Sequence, residues 1–144
     1  MKNSSATVAK TMKQAHAALL KDLGKLEAAA RPGSAAGLAG LREQLGITLT
    51  DVTAHFRFEE QGGYLDGVRK REPRLENVAQ QLAEEHGRLT QSLQALVREA
   101  QEATGLTEGL GEKVREWVAR LRHHEARENE VVQDAFNTDL GAED

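Results

Sequence analysis

The chain contains no cysteine. This excludes disulfide bonds, thiolate chemistry and cysteine-ligated iron–sulfur clusters, so any bound metal must be held by nitrogen and oxygen atoms. The chain also lacks a run of about 18 apolar residues, the length that a helix needs to cross a membrane, and its first residues lead into no apolar segment of signal-peptide length. We therefore expect a cytoplasmic protein without a membrane partner.

The charged residues form no block of one sign. The 19 Lys and Arg residues and the 23 Asp and Glu residues give a formal net charge of -4, with the signs interspersed. Because nucleic acids and anionic membranes are bound through basic patches, neither is expected as the main partner. Strand-like alternation, internal repeats and low-complexity tracts are absent as well, which leaves helical periodicity as the main structural signal.

Apolar residues recur at steps of three and four in four segments, which predicts four amphipathic helices. The first lies at about residues 6–30, and the second follows the turn at 31–34, with Ser34 as its N-cap. The third begins at Pro73, a residue suited to the first helical position, and the fourth begins near Thr107. Because short connections favour antiparallel neighbours, we predict an all-α, up-down-up-down antiparallel four-helix bundle.

A length of 144 residues suits one domain of ordinary size, so we predict a single domain over residues 1–144.

Two features modify the helices. Gly62 and Gly63 weaken the second helix, which would otherwise run to about Arg71, and allow a kink or a flexible exit. The polar residues 137–144 are expected to form a frayed tail.

A histidine followed four residues later by a glutamate occurs twice, at His55 and at His124. On a helix this spacing places both side chains on one face, one turn apart, where they can hold a single metal centre. The other two helices each carry one histidine in the apolar stripe, and helix lengths place all four histidines at about the same height. The candidate metal ligands are His16, His55, Glu59, His86, His124 and Glu128.

A purely structural role must be weighed against metal binding. A lone histidine in an apolar stripe is more often a hydrogen-bonded core residue than a ligand. Here, however, Glu59 and Glu128 also occupy core positions, and an unpaired buried carboxylate costs several kcal/mol of folding free energy. The stripes supply no Lys or Arg at this level, so a metal explains more of the pattern. Imidazole and carboxylate ligands suit iron or manganese and also admit zinc.

Four polar residues adjoin these stripes. Glu60, Glu84 and Glu85 are interpreted as a solvated acidic face. Glu60 could instead support the site without binding the metal, and a small rotation of the third helix would turn Glu85 inward. His123 is expected at the surface or as a helper near the site.

The arrangement resembles the hemerythrin-like, or HHE cation-binding, domain. The resemblance covers essentially the whole chain, with lone histidines and His-x-x-x-Glu helices alternating and with His55-Phe56 and Glu59-Glu60 around the second ligand. It implies a non-haem di-iron centre bridged by carboxylates, with or without an oxo group. The terminal ligands would be His16, His55, His86 and His124, and the bridges would be Glu59 and Glu128.

Two positions bear on function within this resemblance. Oxygen-transporting hemerythrins have a further histidine one turn after the third-helix ligand, where this chain has Thr90. They also place a carboxylate five residues after the last-helix histidine, a spacing that His123 and Glu128 would satisfy. The four-residue spacing favours His124 because both groups then share one face.

One fewer imidazole leaves an iron with an open position for water, O2, peroxide or NO. We therefore expect a di-iron protein that binds O2 or reactive oxygen or nitrogen species, with ferroxidase or peroxidase-like activity. The alternatives are an oxygen or iron sensor, carrier or store without turnover, and a structural bundle that binds adventitious zinc.

Overall fold

The computed structural model describes the backbone of residues 5–61 and 64–143 and the side chains of residues 11–61 and 66–135. Within these ranges the chain forms helices and no β-strand. A 3-10 turn at Pro73–Leu75 precedes the fourth α-helix. The α-helices are α1 (Ser5–Ala29), α2 (Gly37–Gln61), α3 (Tyr64–Arg71), α4 (Glu76–Glu102) and α5 (Glu108–Glu143).

The four long helices close into an antiparallel bundle. Helices α1 and α4 each pack against both α2 and α5. The start of one helix meets the end of its neighbour: Arg115 of α5 donates a hydrogen bond to the carbonyl oxygen of Ala30, and Arg42 of α2 donates one to that of Ala100. The predicted all-α four-helix bundle is confirmed.

Local sequence explains two of the helix boundaries. Gly33 and Gly37 have φ angles of 74° and 64°, a left-handed conformation that glycine adopts without steric cost. Since the turn continues to Gly37, α2 begins there, and the predicted N-cap at Ser34 is wrong. The start of α5 follows the prediction, because the Thr107 hydroxyl accepts a hydrogen bond of 3.1 Å from the Leu110 N–H as an N-cap does.

Helix α2 is described as far as Gln61. Beyond residues 62 and 63, α3 packs on α4 and α5 as well as on α2. Its Val68 is fully buried in an apolar cluster with residues of α1, α4 and α5. The glycines at 62 and 63, where we predicted a kink, lie outside the described residues. Pro73 takes the predicted first position, in the 3-10 turn.

Helix α5 continues to Glu143, through residues for which the sequence predicts a frayed tail. Polar composition alone does not end a helix, and this stretch contains no proline.

The buried apolar residues fall into two clusters along the bundle. The larger cluster, around Trp117 and Leu45, fills the end at the α1–α2 turn. The smaller one, around Met12, Val68 and Val132, lies beneath α3. A polar layer separates the two clusters. On α1, for example, His16 lies between Met12 of the smaller cluster and Leu19 of the larger one. None of the described helices is long and apolar enough to cross a membrane.

Candidate metal centre

Histidines and glutamates from all four long helices fill the polar layer. All six residues predicted as ligands lie there, together with a seventh that was not predicted, Glu125. Each side chain is at least nine-tenths buried. Helix α1 supplies His16, α2 supplies His55 and Glu59, α4 supplies His86, and α5 supplies His124, Glu125 and Glu128.

The first group of donor atoms gathers around two histidines. The Nε2 atom of His55 lies 2.8 Å from Glu59 Oε2 and 3.1 Å from Glu125 Oε1. The Nε2 atom of His16 lies 3.0 Å from the same Glu59 oxygen and 3.3 Å from Glu128 Oε1. One donor atom from each of these five residues lies within 4.8 Å of all the others, so the group could hold one metal ion.

The second group uses the remaining two histidines and the other oxygens of two glutamates. The Nε2 atom of His86 lies 3.0 Å from Glu59 Oε1 and 2.9 Å from Glu128 Oε2. The Nε2 atom of His124 also lies 2.9 Å from Glu128 Oε2. Glu59 and Glu128 therefore each present one oxygen to the first group and one to the second, which is the arrangement of a carboxylate that bridges two ions.

Several of these buried atoms have no hydrogen-bond partner. Among the described side chains, the unpartnered buried atoms include His55 Nε2, Glu59 Oε1, Glu128 Oε1 and both carboxylate oxygens of Glu125. His55 Nε2, for example, lies 2.8 Å from Glu59 Oε2 and 3.1 Å from Glu125 Oε1 without a hydrogen bond to either. Since buried polar atoms are nearly always paired, lone pairs that converge without pairing fit a site for cations.

The carboxylates raise the pKa of the histidines. Burial lowers the pKa of His16, but Glu128 and Glu59 outweigh that effect and raise it to about 10. Burial also lowers the pKa of His55, but Glu125 and Glu59 outweigh this effect and raise it to about 9. His86 reaches about 10, and the pKa of His124 is also raised. The cluster thus favours positive charge strongly enough to hold protons on its imidazoles.

The carboxyl groups respond in two ways. Burial raises the pKa of Glu59 and Glu128, yet contacts with three histidines each bring both below the ordinary value. Burial dominates at Glu125, whose pKa rises to about 7, with the neighbouring Glu128 charge adding to the effect. In the metal-free layer, protons on the histidines balance the carboxylates, and a metal that displaces those protons must supply the positive charge in their place.

The outer nitrogens of three histidines are held by other side chains. His86 Nδ1 lies 2.7 Å from a carboxylate oxygen of Glu60, and His124 Nδ1 lies 2.6 Å from one of Glu85. His16 Nδ1 lies 2.6 Å from Asn129 Oδ1. A metal-binding histidine commonly donates its second N–H in this way, which fixes the ring and its tautomer.

These contacts decide between alternatives that the sequence left open. Glu60 and Glu85 are not simply part of a solvated acidic face, because each meets a histidine ring of the cluster. Glu85 also pairs with Arg127. Glu84 and His123 are exposed, as predicted.

Glu125 is the residue that the sequence reasoning missed. It follows Leu121 by four residues and precedes Glu128 by three, so it belongs to the apolar stripe of α5. A search for His-x-x-x-Glu pairs does not find it, because no histidine stands at 121. The stripe itself was the available signal.

The surroundings of His86 are partly aromatic and partly polar. The Phe56 ring stacks on the His86 ring at 4.0 Å between centroids and meets His124 edge-on at 5.7 Å. A cleft of about 470 Å³ lies between α2 and α4 and is lined by Phe56, His86 and Thr90, which follows His86 by one turn. Glu60 lines the same cleft, so solvent approaches this side of the cluster past polar side chains.

The model of the hemerythrin HHE cation-binding domain matches residues 7–136, a range that includes every residue of the cluster. No curated protein and no solved structure matches the chain.

Proposed function

Because the chain belongs to the hemerythrin HHE cation-binding domain family, we propose that its buried cluster holds two metal ions and that the metal is iron. The observation that carries the proposal is the division of two carboxylates, Glu59 and Glu128, between two pairs of histidines. A structural cluster needs no such division, whereas two adjacent cations do.

The proposed ligands follow from the two groups of donor atoms. His16, His55 and Glu125 would be terminal ligands of one ion, and His86 and His124 would be those of the other. Glu59 and Glu128 would bridge the pair. Two divalent cations carry four positive charges against three carboxylates, so they would replace the positive charge of the protons that the histidines give up on binding metal.

Iron is proposed over zinc because zinc has no redox chemistry, and over manganese because the family resemblance implies a di-iron centre. Nitrogen and oxygen donors admit all three metals, but an iron pair supplies one-electron redox steps and coordination positions for small molecules. The proposed partner is O2, peroxide or NO. The protein's own contribution is to orient the imidazoles through Glu60, Glu85 and Asn129 and to cover His86 with Phe56.

The surroundings favour turnover over reversible carriage. A carrier must shield its metal in an apolar pocket so that the bound gas leaves unchanged. Here the cleft along His86 is lined by Thr90, Glu60 and Arg57, which can bring water and protons to the site. We therefore propose a redox protein with ferroxidase or peroxidase-like activity.

Anaerobic reconstitution with Fe(II) tests the proposal. Elemental analysis should find two irons per chain, and exposure to air should produce near-ultraviolet absorption that vacuum does not reverse and a reductant does. Recovery of the ferrous spectrum under vacuum would instead support an oxygen carrier. Absence of stoichiometric metal, together with an undiminished stability of His55→Ala, would leave only a structural bundle.

A further inference from the structure

The two groups of donor atoms are not equivalent. The first contains five residues and the second four. They share Glu59 and Glu128, and each has two histidines, so Glu125 makes the difference. Resting on the two-ion centre proposed above, we infer that Glu125 makes the position at His16 and His55 the tighter metal site and leaves the position at His86 and His124 as the one that binds an external ligand.

Glu125 is committed to the first position by its contacts. Its Oε1 atom lies 3.1 Å from His55 Nε2 and 3.3 Å from His16 Nε2. The side chain is 1% exposed, and neither of its oxygens has a hydrogen-bond partner among the described residues. A carboxylate buried in this way, beside two imidazoles and without a hydrogen bond, has lone pairs available for a cation.

Charge and donor number act in the same direction. The first position has three carboxylates and the second has two, so a divalent cation is attracted more strongly to the first. Five protein donors also leave fewer coordination positions to solvent than four. An ion at the second position must complete its coordination with a molecule from outside the protein, and open positions of this kind are where ligands bind.

Access does not distinguish the two positions. His86 lines the cleft between α2 and α4, and His124 lines one of about 620 Å³ between α4 and α5. His55, of the first position, also lines a cleft, of about 500 Å³. Solvent can approach both ions, so the number of protein donors selects the ligand-binding one.

The first test is a stepwise titration of the metal-free protein with Co2+, whose visible absorption reports the number of donors. Wild-type protein should bind two equivalents, the first at least about tenfold more tightly than the second. In Glu125→Gln the two affinities should differ by no more than about threefold. The matched control is Glu130→Gln, which removes an exposed carboxylate from the same helix and should behave as wild type.

The second test uses azide as the external ligand on the Co2+-loaded protein. Wild type should bind one azide per chain, and Glu125→Gln should bind two. His124→Ala should keep the tight equivalent of Co2+ but lose the weak one and the azide response. His16→Ala should lose the tight equivalent, which also keeps the inference testable if Glu125→Gln does not fold.

The outcomes separate this inference from the two-ion centre. The inference that Glu125 makes one position tighter would be overturned by two Co2+ equivalents of equal affinity in wild type. It would also be overturned by a Glu125→Gln variant that behaves like Glu130→Gln. Either result would leave the two-ion centre intact. Unchanged azide binding in His124→Ala would overturn the assignment of the ligand position. Failure of wild type to bind any metal would overturn both proposals.

Discussion

Three histidine rings of the cluster are held in place by residues of a neighbouring helix. Asn129 of α5 contacts His16 of α1, Glu60 of α2 contacts His86 of α4, and Glu85 of α4 contacts His124 of α5. Each contact fixes the direction of one Nε2 atom and ties two helices together at the level of the site. Ring orientation therefore depends on side chains that are not ligands.

Replacement of Glu85 by glutamine should weaken metal binding without unfolding the bundle. The amide is neutral, so it supports the His124 ring less well than a carboxylate, and the pair with Arg127 is lost. We expect the metal affinity at the His86 and His124 position to fall by about 10- to 100-fold. Competition with a chromophoric chelator measures this. Glu84→Gln, at an exposed neighbour, is the control, and equal losses in both variants would refute the role of Glu85.

At the scale of the elements, the helices are joined closely at the end of the bundle opposite α3. Arg42 donates hydrogen bonds of 2.7 and 2.8 Å to the carbonyl oxygens of Ala100 and Ala103, at the end of α4. Arg115 donates one of 2.8 Å to Ala30 at the end of α1. These cations satisfy carbonyl groups that have no partner within their own helices. Gly111 permits the approach of α5 to α1, because a Cβ atom there would collide with the Ala30 carbonyl oxygen.

Alanine should therefore have opposite effects at two glycines of α5. Gly111→Ala should lower the free energy of unfolding by about 1–3 kcal/mol, because backbone on both sides must move apart. A Cβ atom at position 109 would meet no atom within 4 Å. Gly109→Ala should therefore raise the free energy of unfolding by up to about 1 kcal/mol through helix propensity. Urea denaturation of the metal-free variants measures both. A Gly111→Ala protein as stable as Gly109→Ala would show that the two helices are not in close contact.

At the scale of the whole molecule, the polar layer divides the apolar core into two parts and makes stability depend on what occupies it. Without metal, the carboxylates of Glu59 and Glu128 are balanced by protons on the histidines. With metal, the histidines must give up those protons, since a ligating imidazole is neutral. Protons and metal ions thus compete for one layer, and metal binding should weaken as the pH falls.

The stability of the metal-free protein should fall on the alkaline side. The pKa of His16 and His86 is raised to about 10, and that of His55 to about 9, from an ordinary value of 6.5. A raised histidine pKa contributes stability that is complete below about pH 6.5 and is lost as the pH rises through the folded pKa. The pKa of Glu125 is raised to about 7, so the stability contributed by its protonated form is likewise lost as the pH rises.

Chemical denaturation of the chelator-treated protein at about pH 6.5 and about pH 9.5 checks this. The metal-free form should be clearly less stable at the higher pH, whereas the metal-loaded form should not be. His16→Gln should reduce the dependence, and His123→Gln, at an exposed position, should leave it unchanged. Equal stability of the metal-free protein at both pH values would contradict the proposed role of protons in the layer.

The fold was largely predictable because helical periodicity is a local property of the sequence. Apolar steps of three and four identify the four long helices, and Thr107 marks the start of α5. The packing of α3 was not predictable in this way. The course of α3 depends on burial of Val68 against α4 and α5, residues far away in the chain. The turn up to Gly37 likewise depends on a backbone conformation that no apolar pattern reports.

The sequence by itself determined which six predicted side chains face the core at one level, because the position of a residue around a helix follows from its spacing. Only the tertiary structure decided how they divide into two groups, that Glu59 and Glu128 serve both, and that Glu125 joins one. It also decided that Glu60 and Glu85 turn toward histidines. The physical reason is that these relations join atoms on different helices. They depend on how each helix is rotated and packed, which spacing along one helix does not specify.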